Sequence, residues 1–449
     1  MNNKNPITLN YYGRKTFDNI SLTMISIFIF TLCFSTINSV ISSVEIKVAT
    51  LFLANIMLLF SRVMMKDSAV KLTKADLMWV LFLFFLILNI GLKGTLTIFH
   101  FIDLFAFFSG ILFLLIVKVN IYYYDSSLKL IKLLGIVYAC SAIFQYLFTG
   151  LYLEYILPLF GSGEQRNILK LLYVNSYTGF TNQTAHLAGF LVNGIGIILF
   201  SSWKGKFSKK GMLFLFLFLM LIGLFLTAKR AHLIFMIVSI FITTLFSINN
   251  KIFIRKFTKI LMSTLAILLS MFVIYQSVDL KEDSPIVQFV NKLEYTAEGI
   301  LAGEDVTTGR NELYEYAWDK FLENPLIGIG WGEYIEQSKG IINSDRGSHP
   351  HNIYLQLLAE LGLIGFLLFM IPLIYIYFES FKMLRFTSVL NSSNKWKIGV
   401  QFSFYLQTFF ILYGMTGNLL TDHNYILMYF FTCSISLSAL LNKKHIKIS

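Results

Sequence analysis

About twelve runs of some twenty apolar residues, joined mostly by short polar connections, constrain this chain more than any other feature, because each can cross a hydrocarbon core about 30 Å thick. They fall near 21–41, 46–65, 77–92, 96–117, 130–148, 184–203, 212–227, 231–248, 259–278, 361–380, 397–417 and 425–441. Lipid offers no hydrogen bonds to an open backbone, so such runs are expected as helices. The expected fold is all-α: a polytopic integral membrane protein of about twelve transmembrane helices, with a long extracytoplasmic loop containing short helices before the tenth span. With 56% hydrophobic and 14% charged residues, the chain is too apolar for an ordinary soluble domain.

Lysine and arginine set the expected orientation, since they collect in cytoplasmic connections; about 25 of the 37 fall in the segments that are inside when the N-terminus is inside. Both termini are then cytoplasmic, and the chain is placed in the cytoplasmic (inner) membrane. The net charge of +12 is spread over short inner segments instead of forming one stripe, so nucleic acid is not an expected partner. The first apolar run follows a polar, basic start without a small-residue cleavage pattern, and is expected to remain as a span. Cys33, Cys140 and Cys433 all fall in apolar runs and are expected to be buried small residues, with no disulfide framework and no metal cluster. Four regions follow: 1–150 with five spans, 151–278 with four spans and an outer loop, an extracytoplasmic loop over 279–351, and 352–449 with three spans.

Two outer loops stand out, about Gly150 to Thr184 and Val278 to His351, and long loops are usually functional. Within the second, Arg310 to Asn324 reads as an amphipathic helix, with Leu313, Ala317, Trp318, Phe321 and Leu322 at helical spacing. Thr307 or Thr308 is expected to cap it, Pro325 to end it, and its aromatic residues suit a membrane surface. The following PLIGIGWGEY carries Gly328, Gly330 and Gly332. No βαβ unit surrounds it, so close backbone packing is expected there in preference to a nucleotide loop; glycines also let backbone N–H groups approach an anionic headgroup.

At the tenth span, Pro350 suits a first helical turn, which places His351 and Asn352 in that turn. Unpaired N–H groups and the dipole there favour an anion and disfavour imidazolium, so His351 tends toward the neutral form that a general base requires. Asn352, Gln356 and Glu360 at i, i+4 and i+8 form a polar strip. It either faces a cavity beside His351 or is the wet side of an interfacial helix. Lys229 and Arg230 make a doubly basic outer turn against the charge trend; a guanidinium binds phosphate through two parallel bonds, so Arg230 and Arg310 are candidate diphosphate ligands, with ordinary headgroup contact as the other reading. His100 and Asp103 share a face and are expected to pair structurally or to serve the site. His349, His351 and Asp345 are a thin basis for a metal, and Asp422 and His423 in TDHNY either line the same cavity or are solvated.

The segments GRNELYEYAWDKFLENPLIGIGWGEY and HPHNIYLQLLAELGLIGFLLF together resemble the signature region of the bacterial O-antigen ligase and polysaccharide polymerase superfamily. His351, Asn352, Gly362 and Gly365 match its ligase pattern, and LTAKRAHL resembles its arginine-bearing turn, with Lys229 where serine is common and Arg230 in the arginine's place. GFTNQTAHLAGFL, with Asn182, resembles the asparagine-containing segment that opens its middle spans.

The resemblance implies metal-independent, inverting glycosyl transfer at the outer face, without a cofactor. His351 would deprotonate an acceptor hydroxyl, while Arg230 and Arg310 hold the departing diphosphate. Asn352, Gln356, Glu360, Lys229 and Asn182 would line the site. The implied partners are a polyprenyl-diphosphate-linked glycan, an acceptor glycan, membrane lipids and a chain-length regulator or flippase. A polymerase of repeat units is expected ahead of a ligase to a cell-envelope acceptor. A flippase of lipid-linked saccharides is the reading from another class, but such proteins usually place their binding groups at the midplane and show repeated halves.

Overall fold

The computed structural model describes residues 19–20, 22–31, 46–64, 72–93, 97–116, 121–201, 207–247, 287, 298, 310–341, 347–390 and 395–446. Among these the regular structure is helical. The principal helices are α1 (Ile46–Met64), α2 (Lys74–Lys93), α3 (Ile98–Ile116), α4 (Ile121–Leu147), α5 (Ser162–Tyr173), α6 (Thr184–Phe200), α7 (Phe207–Leu226), α8 (Arg230–Ser247), α9 (Arg310–Glu323), α10 (Ile353–Ser388), α11 (Lys395–Tyr413) and α12 (His423–Leu441). Five stretches, in α2, α4, α8, α10 and α12, are long and apolar enough to cross a membrane, and shorter apolar helices lie near the expected runs at 21, 46, 96, 184 and 212. The run near 259–278, Cys33, Asp345 and the Thr307/Thr308 cap lie outside the described residues, so twelve spans remains an expectation.

α12 forms the centre, with 83% of its spanning window buried. It packs on α3 and α11; α10 packs on α2 and α11, and α4 packs on α6 and α7. Apolar attraction between helices is weak in lipid, so close packing and interhelical hydrogen bonds must align them. Ser380 of α10 donates to Gln407 of α11 at 2.9 Å, and Gln407 donates to Ser403 at 2.9 Å. Ser403 in turn meets the Ser436 hydroxyl of α12 at 2.7 Å and donates to the Thr432 carbonyl at 2.6 Å. Trp79 of α2 sets its ring edge-on to Phe369 of α10 and Phe430 of α12, closing the other side. Of the cysteines, Cys433 is buried as expected, but Cys140 is exposed on α4: its position in an apolar run did not say which face it takes.

One break positions everything at the site end of the bundle. Gly362 lies within α10 at φ 63° and ψ −169°, dividing it into a short helix, 353–361, and a long helix, 363–388. A break strands carbonyls on one side and N–H groups on the other, which is costly away from water. The PLIGIG segment supplies both sets of partners. Leu363 and Ile364 donate to the Pro325 and Leu326 carbonyls at 2.8 and 3.1 Å, while Ile329 and Gly330 donate to the Ala359 and Glu360 carbonyls, both at 2.9 Å. Asn89 of α2 clamps the same segment, donating to the Ile327 carbonyl and accepting from the Trp331 N–H. The close backbone packing expected for these glycines is therefore present. A Cβ on Gly328 would lie 2.3 Å from the Glu360 carbonyl, and one on Gly362 would lie 2.4 Å from the Leu326 carbonyl carbon.

α9 is amphipathic as expected, and it packs on α10. Leu313 and Ala317 are buried, while Trp318 and Leu322 remain exposed on the outward side.

Gly362→Ala is expected to destabilise the protein by about 2–4 kcal/mol, combining a strained backbone with a main-chain clash. Gly340→Ala has a positive φ but open space around it, and serves as the control for strain alone. Thermal unfolding in detergent measures both, and equal losses would show that the crossing at Gly362 is loose.

Candidate active site

His351 stands just before α10, at φ 51°, a left-handed conformation uncommon in non-glycine residues. The helix itself starts at Ile353. Asn352 is extended and caps it, its side chain accepting from the Tyr354 and Leu355 N–H groups at 3.0 and 3.2 Å. This corrects the expectation that Pro350 opens the helix with His351 and Asn352 in its first turn: a left-handed residue cannot be carried inside a helix. It also corrects the idea of a backbone anion site there. The Ile353 N–H donates to the Gly414 carbonyl and the Gln356 N–H to the Asn352 carbonyl, so the four N–H groups of the first turn are all engaged.

The neutral state expected of His351 is present for a different physical reason. Burial, followed by the neighbouring charge of Arg310, then His349 and Lys229, pushes its pKa down to about 4. His349 is likewise lowered by burial, against the opposing influence of Asp103, and its Nδ1 is buried without a hydrogen-bond partner among the described residues.

Arg230 is the first residue of α8, where the helix dipole is least favourable to a cation and most favourable to an anion, and Arg310 is the first described residue of α9. Arg310 is close enough to repel the Arg230 guanidinium and to act on His351 and on the Tyr314 hydroxyl one turn along α9. A sharp turn aims the first arginine: Ala228 takes φ 54°, and the Lys229 N–H donates to the Thr227 hydroxyl. Residues far apart in sequence, His351, Arg310, Arg230 and Lys229, thus meet at one end of the bundle.

The polar strip turns inward. Gln356 and Glu360 are buried and joined by a 3.1 Å hydrogen bond, and Asn352 is occupied as a cap, so the interfacial helix with a wet side is not what forms. Asn182 ties together the loop that leads into α6. Its Oδ1 meets His186 Nδ1 at 3.1 Å and its carbonyl accepts from Asn167. His100 and Asp103 do not pair with each other. His100 bonds Thr97, whereas Asp103 takes His423 on one oxygen at 2.7 Å and the Trp331 indole on the other at 2.9 Å.

Asp422 in turn pairs with His186 at 2.9 Å and caps α12 by accepting from the Asn424 N–H. The adjacent residues Asp422 and His423 therefore reach to α6 and α3, and the TDHNY turn is a built joint instead of a solvated one. The sequence offered the four polar side chains in these two pairs, but nothing in it said which would meet.

Residues 215–370 match the family model described as O-antigen ligase. The matched segment is similar to that family over this range alone, and it contains Arg230, Arg310, His351 and the Gly362 break. Residues before 215 and after 370 lie outside the match. No curated protein matches the chain.

Asp103→Leu should cost about 2–4 kcal/mol, since it strands the buried indole N–H of Trp331 and unpairs His423. A lowered thermal midpoint together with a shifted tryptophan emission is the expected result, and unchanged emission would remove Asp103 from the support of Trp331.

Proposed function

We propose that the protein is a metal-independent, inverting glycosyltransferase that polymerises polyprenyl-diphosphate-linked repeat units at the outer face of the cytoplasmic membrane. The family match supports action on a lipid-linked glycan. The observation that carries the mechanism is that Arg310 acts both on Arg230, at the start of α8, and on a buried neutral histidine, His351. Cations crowded in this way repel one another, and a diphosphate between them relieves the repulsion.

In the reaction, the neutral His351 ring takes the proton of an acceptor hydroxyl as that oxygen attacks the anomeric carbon from the face opposite the diphosphate. The carbon–oxygen bond to the diphosphate breaks, and its electron pair leaves on the phosphate oxygen, where Arg230 and Arg310 offset the charge. Fixed guanidinium groups act on a developing anion with little reorganisation, and removing one such group commonly costs about 100- to 1,000-fold in rate. Lys229 adds charge nearby, and Asn352, Gln356, Glu360 and Asn182 shape the surrounding frame.

Donor binding also prepares the base. A free-enzyme pKa of about 4 makes His351 unprotonated but weakly basic. A bound diphosphate screens Arg310 and Lys229 and stabilises imidazolium, raising the ring's pKa toward the working range.

Ligase activity is the second reading, supported by the ligase description of the matched family; the acceptor alone separates it from polymerisation. The test uses purified protein, lipid-diphosphate repeat units and product sizing on a gel. Wild type should give a ladder that His351→Ala abolishes and Arg310→Ala reduces by about 100-fold or more. A single-addition product only with a cell-envelope acceptor would favour the ligase, and an undiminished ladder from His351→Ala would remove that residue from the chemistry.

The pH profile is a separate test. Because the base must be neutral and its pKa is lowered, kcat/KM should hold well below pH 6.5 and fall only as pH approaches about 4, whereas the acid limb of kcat should sit higher. An acid limb near 6.5 in kcat/KM would contradict the assignment.

A further inference from the structure

His232 is a buried titratable group that the proposed reaction leaves unused. It stands two residues after Arg230, in the first turn of α8, and is 1% exposed. Its Nε2 lies 2.6 Å from the Tyr425 hydroxyl of α12, and that hydroxyl donates to the Ala185 carbonyl in the first turn of α6 at 2.8 Å. A phenol has one hydrogen to donate, so toward His232 its oxygen accepts, and the ring carries its proton on Nε2. One hydroxyl thereby joins three helices. The notch around it is close, since a Cβ on Gly189 would lie 2.7 Å from the same oxygen.

The ring also reaches toward the helix that follows His351. Its centroid is 4.2 Å from that of Tyr413, the last residue of α11. The next residue, Gly414, accepts the Ile353 N–H at 2.9 Å, and a Cβ there would lie 2.8 Å from the Ile353 side chain. A continuous chain of contacts thus runs from the turn bearing Arg230, through His232 and Tyr413, to the start of α10 two residues after His351.

Apolar attraction between helices is weak in lipid, so polar contacts and close packing set the rotation and depth of α8. For His232 the polar hold is slender. Its Nδ1 is buried without a hydrogen-bond partner among the described residues, which leaves the Tyr425 bond as the ring's polar anchor. Any rotation of α8 carries Arg230 with it, and a misplacement of about 1 Å can cost about 100-fold in rate.

We propose that His232 and Tyr425 are positioning residues, whose hydrogen bond fixes the start of α8 and so the place of Arg230 relative to His351. The joint stands on its own geometry, whereas its part in holding the diphosphate rests on the function proposed above.

The probe is farnesyl diphosphate, its binding measured by calorimetry on the full chain in lipid nanodiscs against empty nanodiscs. Tyr425→Phe keeps the aromatic ring and removes only the hydroxyl. It should bind the probe at least about fivefold more weakly than wild type, and Arg230→Ala at least about tenfold more weakly. In the Arg230→Ala background, Tyr425→Phe should change binding by less than about twofold, because its effect passes through that arginine. With lipid-linked substrates, Tyr425→Phe should raise the donor KM and leave the acceptor KM as in wild type. If Tyr425→Phe does not fold, His232→Phe, which keeps a ring against Tyr413 and removes the donor, replaces it.

Amide exchange over 233–236, the first hydrogen-bonded turn of α8, should be faster in Tyr425→Phe, with exchange in α2 unchanged. Equal probe binding by wild type and Tyr425→Phe, or an equal loss with and without Arg230, would overturn the positioning role and spare the diphosphate site. No probe binding by wild type, or undiminished binding by Arg230→Ala, would sink the diphosphate role of Arg230; faster exchange at the start of α8 would then still establish the joint, and unchanged exchange would remove it as well.

Discussion

A helix that crosses a membrane cannot be interrupted unless other backbone takes over its broken hydrogen bonds, and at Gly362 the PLIGIG segment does so on both sides of the break. Four main-chain hydrogen bonds weld the loop to α10. The loop is then no longer free to choose its position: Asn89 holds it to α2, and Trp331, at its end, is held by Asp103 of α3. The short first part of α10 is fixed by the same weld, and with it the His351 backbone just ahead of the Asn352 cap. The spacing of the His–Asn pair and the two glycines thus has a mechanical meaning. It is the length of one short helix between a capped start and a break.

Electrostatics supply the second layer. Arg310 and Lys229 act on a buried histidine, Arg310 acts in turn on Arg230, and the positive end of α8 lies at Arg230. This concentration of positive potential is balanced in the surrounding frame by Asp103 and Asp422, each already committed to a histidine. The carboxylates therefore stiffen the joint at the start of α12 and are not available as alternative bases facing His351. Among the described groups, His351 combines a lowered pKa with proximity to the arginines.

Much of the fold was legible in the sequence. Among the described residues the apolar runs coincide with helices, because hydrophobic length is a local property. The loop helix at Arg310, the glycine packing and the neutral histidine were legible too, although the last arose from burial and neighbouring cations and not from the helix dipole. The start of α10 was misread because Pro350 is compatible with a first turn, and only the contact of Ile353 with Gly414 and the left-handed His351 move the start to Ile353. The polar strip was ambiguous for a similar reason. A spacing of four residues defines a face but does not say whether water, a cavity or protein covers it.

What the sequence determined by itself was the class of fold and the residue types able to handle a proton and a diphosphate, since these follow from local hydrophobicity and side-chain chemistry. Only the tertiary structure decided which of those residues meet: that His423 takes Asp103 and His186 takes Asp422, that Glu360 turns inward to Gln356, and that His232 takes Tyr425. The physical reason is that a helix's sequence fixes the relative angles of its own side chains, while its rotation and depth in the bundle are set by the helices packed around it.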